Sequence, residues 1–102
     1  MTIFPVSPIV NMNGTSQEVL LEQVMAAKEA VAIAMKALAE ATPHGRDYQT
    51  APAGAYAVAR GQHNARMNKL SDVYEDLETI ALDVYKQRRS KKNWELLASK
   101  PV

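Results

Sequence analysis

The chain has no cysteine, one tryptophan, one phenylalanine and four glycines. Without cysteine there is no disulfide framework, no thiolate zinc site and no thiol nucleophile. Twelve Lys and Arg stand against eleven Asp and Glu, a formal charge of +1. That balance excludes a protein whose work is done by bulk charge. No apolar run approaches the ~20 residues that a membrane-spanning helix needs. The start, Met1-Thr2-Ile3-Phe4-Pro5, lacks the basic segment and long apolar stretch of a secretory signal. Together these absences predict a cytoplasmic protein with no membrane partner. Catalytic signatures are missing too: there is no His-Glu-x-x-His, no Gly-x-Ser-x-Gly and no phosphate loop. Two histidines and scattered acids give no metal-binding spacing. The chain reads as a non-enzyme without metal or cofactor.

What is present is helix-forming sequence, divided into five pieces of a single domain over 1–102. Residues 1–14 carry Pro5, Pro8 and Gly14 among Ile3, Phe4, Val6, Ile9 and Val10. Proline removes a donor and pushes its predecessor toward extended backbone. An extended apolar arm results, expected to lie on its own chain or on a neighbour. Thr15-Ser16-Gln17-Glu18 fits a capping box and opens helix one, residues 15–41, which Pro43 and Gly45 stop. Its seam reads Leu20, Val24, Ala27, Val31, Ala34, Leu38 and Ala41. The polar residues Glu18, Glu22, Glu29, Lys36 and Glu40 occupy a stripe only about 40° wide. So narrow a wet face calls for neighbours on more than one side.

A loop spans 42–52, and helix two follows over 53–87 with Pro52 near its first turn. The second seam reads Tyr56, Ala59, His63, Arg66, Leu70, Val73, Leu77, Ile80 and Val84. Residues 88–102 form a basic tail, where Ser90 is placed to cap a short helix bearing Trp94, Leu96 and Leu97. The predicted fold is therefore all-α. It is a long antiparallel two-helix hairpin with an extended N-terminal arm and a short basic C-terminal helix, assembled as an oligomeric bundle. The alternative is a monomer whose arm and tail fold back to close a small bundle. Folding at this length hides about two thirds of the surface that the unfolded chain exposes, so a lone monomer gains only modest stability.

Charge is uneven along the chain. Residues 1–41 sum to −2, 42–71 to +3, 72–83 to −5 and 84–102 to +5. Within the positive zone, His63 and Arg66 take seam positions that should be apolar. A buried guanidinium without a partner costs several kcal/mol. A neighbouring subunit's carboxylate, an anionic ligand, or water reached by snorkelling must meet it. Arg60 borders the same face. The loop adds His44, Arg46, Asp47 and Tyr48, which suit a nucleotide. Arg would hold phosphate bidentately, Tyr or His would stack on a base, and Asp would accept from ribose or base. The competing reading is a loop locked by Arg46–Asp47 or by Tyr48 on its own backbone. The basic run from Lys86 to Lys92 reads first as a solvated tail or a helix C-terminus with cations near the dipole; contact with nucleic-acid phosphates is the lesser reading, since no aromatic platform is interleaved with it. Asn13-Gly14-Thr15-Ser16 is a turn and cap whose free amides also suit a phosphate.

Asn-Met-Asn-Gly-Thr-Ser at 11–16 and Pro-His-Gly-Arg-Asp-Tyr at 43–48 resemble small helical-hairpin proteins of phage and prophage genomes, over about residues 11–87. That resemblance brings no activity with it, and places the protein in a host cytoplasm. In size, helical hairpin and extra apolar faces, the chain is also similar to phage immune-signal sponges. Those are small helical proteins that oligomerise and sequester cyclic nucleotides or ADP-ribose derivatives made by bacterial defences. The similarity is one of architecture. The resulting expectation is a homo-oligomer that captures an anionic nucleotide through His44, Arg46, Asp47, Tyr48, Arg60, His63 and Arg66. The alternatives are an inhibitor or adaptor of a host protein or nucleic acid, and a structural virion protein.

Overall fold

A computed structural model describes residues 4–98, with the side chains of residues 4–87. Helix α1 runs Gln17–Glu40, a single 3₁₀ turn η1 covers Gly45–Tyr48, and α2 runs Ala55–Ala98. The described residues contain no strand, in keeping with a helical hairpin. None of their helices is long and apolar enough to cross a membrane. Two units make up the chain: one of Met1–Lys28 with Glu75–Val102, the other of Glu29–Tyr74.

The N-terminus of α1 lies one residue later than the capping box requires. Ser16, rather than Thr15, is the cap: its Oγ accepts the Val19 amide and its carbonyl accepts that of Leu20. Val19 thus fills the position where the box needs Glu or Gln, and no box forms. Helix α2 starts two residues later than expected. Gly54 takes φ +84°, a left-handed conformation incompatible with a helical turn. The helix then continues through Ser90 to Ala98, in place of a separate terminal helix. A lone serine among Lys, Arg, Gln and Leu lowers helix propensity too little to end one. The expected roles of Trp94, Leu96, Leu97 and the cations from Arg88 onward lie outside the described side chains.

Both seams differ from expectation in the same way. A helix can step three or four residues from a buried anchor, and the anchors seven apart were right: Val24, Val31 and Leu38 in α1, His63, Leu70, Leu77 and Val84 in α2. Between them the helices step by four. Lys28 and Met35 turn partly inward where Ala27 and Ala34 had been expected, and both alanines are exposed. In α2, Met67 is partly covered and Arg66 is exposed; likewise Tyr74 is partly covered and Val73 exposed. Ala81, rather than Ile80, is the buried residue of its turn. Among the described residues, Ala81 and Val84 are the buried hydrophobic side chains.

In the unit of Met1–Lys28 and Glu75–Val102, polar groups fix the arm and the start of α1. Gln17, only 8% exposed, donates from Nε2 to the Val84 carbonyl at 2.7 Å. The Gln87 amide accepts from the Val10 N–H and donates to the Pro8 carbonyl, both at 2.8 Å. Ser7 Oγ donates to Asp83 at 2.7 Å. The arm therefore lies on its own chain, as one of the two expectations had it. Its attachment is polar: Phe4, Val6, Ile9 and Met12 remain exposed.

Candidate functional site

The unit of Glu29–Tyr74 contains all seven expected site residues, and their surroundings differ sharply. At the end of α1 the backbone tightens, with Ala41 N–H donating to Leu38 and Thr42 N–H to Ala39. Pro43 ends the helix. His44 is extended at φ −114°, ψ 141°, with no side-chain capping bond. The next residues close the 3₁₀ turn through the Asp47 amide on the His44 carbonyl at 3.0 Å. Ala51 N–H then donates to the Tyr48 carbonyl at 3.1 Å, and Ala55 N–H to that of Pro52 at 3.1 Å.

These turns bring Tyr48 against the first turn of α2. The Tyr48 and Tyr56 ring centroids lie 5.8 Å apart, tilted at 42°. One turn further along α2, the Arg60 guanidinium carbon lies 5.9 Å from the Tyr56 centroid. Both distances fall within the range of aromatic and cation–π attraction. Gly45 passes over the same ring, since a Cβ there would sit 3.7 Å from Tyr56. Both tyrosines are half-buried, whereas Arg60 is exposed with His44, Arg46 and Asp47. Tyr48, Tyr56 and Arg60 thus form one cluster, beside which the turn presents an imidazole, a guanidinium and a carboxylate to water.

The other two expected residues behave differently. His63 is 4% exposed, with Nε2 3.1 Å from the Thr42 hydroxyl. That hydroxyl donates to the Ala39 carbonyl, so its lone pair receives the imidazole N–H. His63 is a satisfied core residue tying the end of α1 to α2. Arg66 is exposed, contrary to its expected seam position, so the desolvation argument built on it fails. The three-residue step from His63 produced that error.

Sequence reasoning gave Tyr56 only a packing role, although it stands one turn before Arg60 and follows Tyr48 across a Pro/Gly turn. Thr42 reads as loop beside Pro43, yet it continues the four–three rhythm of Val31, Met35 and Leu38. From the Asn-Gly-Thr-Ser segment, in the other unit, Gly14 and Ser16 line a groove of about 540 Å³ with Gln17, Glu18 and Gln87. Ser16 is occupied in capping, and the Glu18 carboxylate on the groove wall opposes an anion. Among the described residues no three His, Asp or Glu side chains gather as a metal would require. No family model matches this chain, and neither a curated protein nor a solved structure matches it.

Proposed function

We propose that this chain is a non-enzymatic, self-associating binding protein that captures an anionic nucleotide-like ligand on the Tyr48–Tyr56–Arg60 cluster. The observation that carries the reading is the cluster itself: the Tyr48 ring and the exposed Arg60 guanidinium, each within 6 Å of the Tyr56 ring. A base has a π-face for the rings, with base–aromatic stacking contributing ~1–3 kcal/mol. A phosphate has the oxygens that an arginine fork holds. Arg46 and His44 supply further donors from the adjacent turn, and Asp47 an acceptor. Capture without turnover accords with the similarity to signal-sequestering sponges, so a signalling nucleotide is the specific ligand proposed. Self-association is supported by the shortage of buried apolar side chains among the described residues.

Small molecules released by heating purified protein, identified by mass spectrometry, test this reading. A nucleotide released in stoichiometric amount supports it. Protein that releases none, and whose melting temperature no mono-, di- or cyclic nucleotide raises, overturns it. A second reading, an adaptor for another protein, is favoured by Ile33 and Val58, which are 62% and 60% exposed. Capture of one protein partner with no nucleotide response would select it.

A further inference from the structure

We propose that a second copy of this chain docks on the groove formed by Leu21, Met25, Ala81, Leu82 and Tyr85, completing a four-helix bundle. The groove encloses about 320 Å³ and is rimmed by Lys28 and Glu78. Its occupant matters only if the chain self-associates, as proposed above. Three observations choose a copy of the same groove.

First, Ala81 is one of the two buried hydrophobic residues among those described and also lines the groove. The groove is therefore an open continuation of the unit's small core. Met25, Leu82 and Tyr85 stand 47%, 51% and 54% exposed around it. Second, Leu21, Met25 and Lys28 are spaced four and three along α1, and Glu78, Leu82 and Tyr85 repeat that spacing along α2. This is the rhythm with which helices interlock in four-helix bundles.

Third, the rim is self-complementary. The helices run in opposite directions, so Lys28 and Glu78 share one end of the groove and Leu21 and Tyr85 the other. A two-fold axis parallel to the helices sets α1 of one copy against α2 of the next, antiparallel. Lys28 then faces the other copy's Glu78, twice per dimer, as an isologous contact demands. Lys28 is already engaged within its own chain. An ammonium carries three donors and can serve the other copy's carboxylate as well.

Sedimentation velocity of the full chain at micromolar concentration tests the face, with circular dichroism as the check on folding. Wild type should sediment as a dimer or larger, and Leu82→Glu as a folded monomer. Lys28→Glu and Glu78→Lys should each weaken association about tenfold or more, because like charges then face across the axis. An equimolar mixture of those two variants should recover to within a few-fold of wild type, since every facing pair is again opposite in sign. Charges that interact only within one chain cannot be rescued by mixing. Wild type sedimenting only as monomer overturns both the face and the self-association proposed above. Wild-type association that survives Leu82→Glu, or single variants that mixing does not rescue, overturns the face and leaves self-association standing.

Discussion

The imidazole Nε2 of His63 lies 3.1 Å from the Thr42 hydroxyl, which gives its own proton to the Ala39 carbonyl. A histidine on the seam of α2 thus reaches, through one hydroxyl, the last turn of α1. This relay fixes where the loop begins, and hence where Tyr48 lands on Tyr56.

Thr42→Val keeps the shape and removes both bonds, leaving the buried N–H of His63 without an acceptor. The expected loss is ~1–3 kcal/mol, read from urea unfolding. Thr42→Ser, which keeps the hydroxyl, should recover most of it. Stability kept in Thr42→Val but lost in Thr42→Ser would mean that the methyl group, and not the relay, matters.

The Gln87 amide holds the arm at two points, and Ser7 on Asp83 at a third. Gln87→Leu removes the acceptor for the Val10 N–H and the donor for the Pro8 carbonyl. Because Phe4, Val6, Ile9 and Met12 are exposed already, little apolar burial opposes its release. Amide hydrogen exchange at Val10 should accelerate at least tenfold, while the central turns of α1 keep their protection. Unchanged exchange at Val10 would show that other contacts hold the arm.

Two glycines predict opposite signs for one substitution. A Cβ would meet nothing within 4 Å at either Gly54 or Gly61, so sterics cannot separate them. Gly61 lies inside α2, where alanine should stabilise by ~0.5–1 kcal/mol through helix propensity. Gly54 has φ +84°, where an L-residue is strained by ~1–2 kcal/mol. Gly54→Ala should therefore lower the melting temperature and Gly61→Ala raise it. A rise in Gly54→Ala would contradict the backbone assignment at Gly54, and a fall in Gly61→Ala the helical setting of Gly61.

Arg66, exposed on α2, should tolerate alanine with a stability change within about 0.5 kcal/mol. A loss of several kcal/mol would return it to a buried ion pair. Its case shows where the sequence could and could not be read. The helices, their proline stop and the anchors at seven-residue intervals are written in propensity and periodicity. The choice between a three- and a four-residue step is not, because Arg66 and Met67 flank the same anchor and both have long aliphatic stems. Choosing the step takes the facing helix. The site was half legible for a similar reason. Tyr48 and Arg60 stood out by their chemistry, whereas Tyr56 joins them only once Gly54 and Pro52 have turned the chain. His63, odd in sequence, is made ordinary by Thr42.

The account rests on the Tyr48–Tyr56–Arg60 cluster, and calorimetric titration of nucleotides into the full chain and its variants tests it most directly. Mono-, di- and cyclic nucleotides should include at least one that binds wild type. Removing a stacking ring in Tyr56→Ala should weaken that ligand by about five- to 150-fold, the equivalent of the ~1–3 kcal/mol of base–aromatic stacking. Arg60→Ala should weaken it comparably by loss of the phosphate fork, while Arg66→Ala, exposed and outside the cluster's contacts, should stay within about threefold of wild type. Binding that survives both Tyr56→Ala and Arg60→Ala, in variants that remain folded, would contradict the account.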